Sequence, residues 1–138
     1  MTYKYSICYP DREEIEYPTN LLDKDQVLEM AKNYPWMEQL KLADSVTLDT
    51  VYYSPSLDFT HINDRHSFCL TAGLNKEKLE FSLWYNRPVK KRPLFGLLGE
   101  KTRMEVVDKW SIDQPTALTY LETFLNRDYR TIERIMTQ

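Results

Sequence analysis

The residues best suited to chemistry are His61 and His66, which share the stretch Asp58-Phe59-Thr60-His61-Ile62-Asn63-Asp64-Arg65-His66 with two carboxylates. Imidazole and carboxylate together can bind zinc or carry protons in acid–base catalysis. The spacing matches no tight metal motif, and the two histidines straddle a turn that Asp64 suits. If Asp58 and His61 occupy one strand, they point to opposite faces. The stretch therefore reads as a turn with two surface histidines, and alanine at both is expected to leave stability and binding nearly unchanged. Cys69 lies close enough to His66 to suggest a nucleophile and its base. It lacks a glycine-framed nucleophile turn, and a thiol between Phe68 and Leu70 in a strand is buried, protonated and inert. Asp11, Glu13, Glu14 and Glu16 supply paired carboxylates, but a charge run beside Pro10-Asp11 is a solvated edge. Three glycines in the whole chain leave none for a phosphate-cradling loop. No catalytic residue, metal site or cofactor is expected.

A different signal comes from residues 87–101. Arg87, Lys90, Lys91 and Arg92 run directly into Leu94, Phe95, Leu97 and Leu98, and Lys101 follows. A connection between strands is ordinarily polar, so a basic and apolar one invites a partner. One reading has the leucines of a long hairpin connection over 88–100 folding back onto the core, with Pro88 and Pro93 limiting its freedom. A second makes Leu94, Phe95, Leu97 and Leu98 an apolar patch ringed by Arg87, Lys90, Lys91, Arg92 and Lys101, which suits a protein partner with an acidic rim or a second copy of the chain. A third sets the same side chains against an anionic membrane surface, which the short segment and the negative total charge disfavour. Trp84 and Tyr85 nearby offer stacking platforms for RNA, although Tyr85 reads as core and no specific nucleic-acid partner is expected.

These groups must be held by the elements around them. Tyr3, Tyr5, Ile7 and Tyr9 alternate with Lys4, Ser6 and Cys8 as a half-buried strand, and Ile15 and Tyr17 follow as a return strand. Asp23 with Gln26 three residues on forms a capping box for a helix that Pro35 ends, and Pro35 opens a short second helix. From Ser45 the period becomes two, which predicts strands over 46–53, 57–62, 66–72, 78–86 and 102–110, with Gly73 to Glu77 as a hairpin connection. Asp113 and Pro115 open a C-terminal helix, which Asn126-Arg127-Asp128 divides, the asparagine taking the left-handed position. Short links between successive strands imply an antiparallel meander.

Composition bounds the rest. At 138 residues, 42% apolar and 28% charged, the chain buries roughly two-thirds of its extended surface and needs neither metal nor disulfide to fold. Two separated cysteines do not make a secreted framework, and no run nears the roughly 18 apolar residues of a membrane span, so the cytoplasm is the expected compartment. Net charge is −3 overall, but residues 1–69 carry −6 and residues 70–138 carry +3, which either neutralise across the fold or form two recognition patches. The expected fold is a single α+β domain over 1–138, an antiparallel sheet of about five to seven strands with N- and C-terminal helices on one face. The expected function is a non-catalytic protein-binding module, similar in size and chemistry, without a shared motif, to a bacterial immunity protein that inhibits a cognate toxin. The competing reading is a small enzyme or ligand-binding domain with a pocket between sheet and helices, lined by tyrosines and Trp84 or Trp110.

Overall fold

In the computed structural model, which describes residues 2–45, 49–91 and 101–138, alternation of apolar and small polar side chains sets up a five-stranded antiparallel sheet. Its strands are β1 (Tyr3–Cys8), β2 (Ser56–His61), β3 (Ser67–Asn75), β4 (Lys78–Lys91) and β5 (Lys101–Ile112), in spatial order β1-β2-β3-β4-β5. Helices α1 (Lys24–Asn33) and α2 (Trp36–Ala43) fall between β1 and β2, while α3 (Gln114–Leu125) and α4 (Tyr129–Thr137) close the chain. The register sets Tyr3, Tyr5 and Ile7 against His61, Phe59 and Leu57, and continues through Phe68, Leu70 and Ala72 to Tyr85, Leu83 and Phe81. These side chains are all buried, so one face of the sheet is apolar throughout, as the period of two requires.

That face meets the helices. Trp36 of α2 packs edge-on to Phe81, Phe124 of α3 contacts Tyr3, Phe68 and Tyr85, and Tyr129 of α4 lies over His66. Val27 and Ala31 of α1 are buried, and α1 packs beside α3. The caps are those the sequence predicts. Asp23 accepts from the Gln26 amide and Gln26 bonds back to Asp23, while Asp113 and Asp128 cap α3 and α4 through the amides of Thr116 and Thr131. No helix of the described residues is long and apolar enough to cross a membrane.

Several local expectations are corrected. Of the strand expected over 46–53, residues 46–48 lie outside the described residues and 49–53 form no strand; instead the Tyr52 amide donates to Pro10 O and the Tyr53 hydroxyl to Glu13 O, so this stretch serves the segment after β1. Gly73 lies inside β3 opposite Glu80, and the β3–β4 turn is the tight pair Lys76-Glu77, both at positive φ (50° and 67°). Such a turn usually takes Asn-Gly, which explains why the glycine misleads. Between α3 and α4 it is Arg127 (φ 59°) rather than Asn126 that takes the left-handed position.

The histidines depart furthest from expectation. His61 is 2% exposed and meets the Tyr3 ring edge-on. Counting by two from Leu57 and Phe59 places it on the apolar face. Its Nδ1 lies 3.2 Å from Asp64 Oδ1, without the alignment of a hydrogen bond. His66 stacks on Tyr129 at 3.8 Å, and its Nδ1 is 2.7 Å from the Tyr85 hydroxyl. Desolvation holds its pKa below the ordinary imidazole value, against the pull of Asp64. Asp64 does fit the turn, accepting from the His66 amide, and Tyr129 donates its hydroxyl to the same carboxylate. Both histidines are therefore parts of the packing between sheet and helices rather than surface groups of a turn.

Candidate functional site

The opposite face of the sheet carries the even-numbered side chains of the first strands, and they are small. One row across it reads Ser6, Asp58, Cys69, Trp84 and Asp108; the next reads Cys8, Ser56, Thr71 and Ser82. A solvated sheet face is commonly covered by long charged residues, whereas these short ones leave hollows between taller neighbours. One hollow, of about 400 Å3, is lined by Lys4, Ser6, Cys8, Ser56, Asp58, Thr60 and Cys69, with Ile15 and Tyr17 at its side. A second, of about 300 Å3, is lined by Thr71, Gly73, Ser82, Trp84 and Trp110 among others. No helix residue lines either hollow.

The wall of the first hollow is built by the segment after β1. Glu16 pairs with Ile7 through two backbone hydrogen bonds of 2.9 and 3.0 Å. Residues opposite one another in an antiparallel pair share a face. Glu16 therefore sides with Ile7, and its neighbours Ile15 and Tyr17 side with Ser6 and Cys8. This strap is acidic, with Asp11, Glu13, Glu14 and Glu16 exposed. Arg12, itself exposed, pairs within its own strap, 3.1 Å from Glu16 and over the Tyr9 ring.

Asp58 is the anomaly on this floor. Its Oδ1 is buried and receives no hydrogen bond. Two hydroxyls of the adjoining row are engaged elsewhere, Ser56 with Ser54 O and Thr71, and Thr71 with Cys69 as well. Desolvation pushes the Asp58 pKa up to about 6, with Lys4 opposing it. The adjacent thiols respond in kind: burial and then the Asp58 charge raise Cys69 to about 12, and the same two causes raise Cys8. Thiols so placed are protonated at neutral pH and make poor nucleophiles, as the sequence predicts for Cys69. Among the described residues, no group of three or more His, Cys, Asp or Glu is arranged to hold a metal ion.

On the far side of the same face an apolar stripe runs along β5, an edge strand. Trp110 is 60% exposed and Val106 55%, Met104 stands in line with them, and Trp84 meets Trp110 edge-on across the strands. Opposite Ser82 the pairing slips, with Leu83 facing Lys109 and Phe81 facing Ile112. Ser111 takes φ 62° in this bulge, which returns Ile112 to the core while leaving Trp110 outside.

The predicted partner-binding residues separate into three groups. Arg87 is engaged within the fold: its guanidinium forks onto Glu133 of α4 at 2.8 and 2.6 Å and donates to Glu105 O at 2.9 Å. Lys90 is exposed, while Lys91 and Lys101 pair as backbone positions at the ends of β4 and β5. Arg92, Leu94, Phe95, Leu97 and Leu98 lie outside the described residues. The expected loop over 88–100 is partly strand, since β4 runs to Lys91 and β5 begins at Lys101. β3 stops pairing at Ser67 with Asn86, so positions 87–91 and 101–105 form a two-stranded arm beyond the rest of the sheet, and Pro88 falls where β4 has lost one neighbour.

The sequence singled out Trp84 and the strap carboxylates but missed the floor of the hollow. A signal was present: aspartate is depleted in strands, and Leu57-Asp58-Phe59 seats one between two core residues. Comparison with protein-family models, with curated proteins and with solved structures finds no match.

Proposed function

We propose that this domain is a non-catalytic protein-binding module of the cytoplasm, and that it meets its partner with the helix-free face of the sheet and the β4–β5 arm. The observation that carries this reading is the stripe of Trp84, Trp110, Val106 and Met104 on that face. Exposed, clustered aromatic and aliphatic side chains are the type that dominates binding energy at interfaces. The arm adds charge, with Lys90 and Arg103 exposed and Lys91, Arg92 and Lys101 beside them in sequence, on either side of Leu94, Phe95, Leu97 and Leu98. Arg87 serves this surface indirectly, since its fork to Glu133 ties the base of the arm to α4. An acidic strap at one end of the face and a basic arm at the other suit a partner of opposite polarity, as in an immunity-like inhibitor laid across its target.

The alternative reading is a small enzyme or ligand-binding domain, and the hollows of the helix-free face give it room for a ligand. Tyr3, Phe59, Phe68, Phe81, Tyr85 and Phe124 are buried on the helical side of the sheet, and a shallow hollow of about 460 Å3 lies between α1 and α3 beside Leu28 and Leu118. A photo-crosslinking amino acid placed in turn at Trp110, Lys90 and Glu38 tests the protein-binding reading in the cells that make the protein. Positions 110 and 90 are expected to capture one common protein that Glu38, exposed on α2, does not. Indistinguishable capture from all three positions would refute it.

A further inference from the structure

The hollow over Asp58 has a chemistry of its own, and it needs no protein partner to be examined. A carboxylate on the floor of a cavity ordinarily collects two or more donors. Here the buried Oδ1 has none, and the Ser56 and Thr71 hydroxyls of the adjoining row bond to one another instead. Lys4 stands exposed at the rim, near enough to act on Asp58 through space, yet the two form no ion pair. From the sides come only protonated thiols, Cys8 on β1 and Cys69 on β3, the hydroxyls of Ser6 and Thr60, and the apolar flank of Ile15 and Tyr17. Outside lies the acidic strap, whose single arginine is already paired with Glu16.

We propose that this hollow binds an organic cation, an ammonium or guanidinium on a short aliphatic stem, with Asp58 as its counter-ion. Each part of the cavity meets one part of such a ligand. The head supplies the donors that Asp58 lacks and the charge that offsets its burial. Ser6 and Thr60 accept the remaining N–H groups, and Ile15 with Tyr17 cover the stem. At about 400 Å3 the space lies within the range of small-ligand sites. An anion would meet the carboxylate and the acidic strap together. A neutral alcohol would satisfy the hydrogen bond and leave the buried charge uncompensated. The cation can arrive as a free amine or as a lysine or arginine side chain of a bound protein, because the cavity recognises the head and stem that both share.

The probes are n-butylammonium, n-butylguanidinium, capped Gly-Lys-Gly and Gly-Arg-Gly peptides, and n-butanol as the neutral control, each titrated into the full chain. The reading is the Asp58 side-chain carboxyl resonance as a function of pH, with affinity taken from the same spectra. A saturating cation is expected to lower the Asp58 midpoint by about one pKa unit, equivalent to roughly tenfold tighter binding to the ionised form. Asp58→Asn keeps shape and is expected to weaken binding at least about tenfold, with its amide spectrum confirming the fold. Equal binding of butyl cations and peptides identifies a free amine as sufficient. Binding of the peptides alone identifies a protein side chain as the source. A midpoint unmoved by every cation, butanol binding as tightly as butylammonium, or undiminished cation binding by Asp58→Asn would each overturn the assignment.

Discussion

Replacing Asp58 with asparagine should make the protein more stable at neutral pH, although it removes a charged residue from the centre of a strand. Unfolded, the carboxyl titrates at 3.8; folded, burial raises it to about 6. A folded-state pKa above the unfolded one means the native state holds its proton more tightly. The contribution is therefore harmless below about 4, grows unfavourable as pH climbs from 3.8 through 6, and levels off above. At about 1.4 kcal/mol per pKa unit, the full penalty is roughly 3 kcal/mol. About 2 kcal/mol of that falls between about pH 4.5 and about pH 8. Asparagine has nearly the same shape and no charge, so any packing or hydrogen-bond difference is a constant offset, while the pH-dependent part belongs to Asp58. The assay is urea unfolding of both proteins across that window, followed by tryptophan fluorescence, with Trp36 buried against Phe81 as the internal reporter. Taking the difference removes the titration of His66 and Asp64, whose side chains meet the helical side of the sheet. A difference that stays flat with pH, or that favours the wild type increasingly as pH rises, would show that Asp58 is not an uncompensated buried charge.

Two further perturbations test the packing side. His61→Ala should cost about 2–4 kcal/mol, as truncation of a fully buried ring does, and His66→Ala about 1–2 kcal/mol, because it leaves the buried Tyr85 hydroxyl without its partner; urea midpoints within error of wild type would return both histidines to the surface. Arg87→Met should cost about 1–2 kcal/mol, discounted because Glu133 is partly exposed, and Arg87→Lys should recover only part of it, since an ammonium cannot reproduce the fork. Amide exchange should quicken in α4 and at 87–91 together in the methionine variant, and exchange confined to one of them would mean that Arg87 does not couple the arm to the helix.

The caps and the period of two made most of the fold legible. Asp23, Asp113 and Asp128 announce their helices because a short polar side chain before an apolar periodic run has few other uses. The apolar sides of the strands follow from alternation alone. Alternation also carried the histidine answer, since Leu57, Phe59 and His61 share a parity. Residue type misled there: a histidine beside a turn reads as polar, yet its ring fills core space when Tyr3 and Asp64 flank it. The strand expected over 46–53 fails at 49–53 for a different reason. Val51, Tyr52 and Tyr53 have strong strand propensity, but the residues they meet are Pro10 and Glu13, a pairing that no local pattern reveals.

The candidate site was harder to see because it is made by what the side chains omit. Ser6, Cys8, Ser56, Cys69, Thr71 and Ser82 are individually unremarkable strand residues, and only the register lays them side by side to leave a hollow. The Asp58 carboxylate then sits with its Oδ1 buried and without a donor. Stability alone would favour an isosteric amide or a small apolar residue at that position. A carboxylate that lines a cavity and has a buried oxygen without a donor is a group suited to a ligand. The basic arm presents the reverse case, because Arg87, the first residue of the predicted patch, is explained by its bonds to Glu133 and Glu105, while Asp58, named in the sequence only as a neighbour of histidine, has no such explanation within the chain.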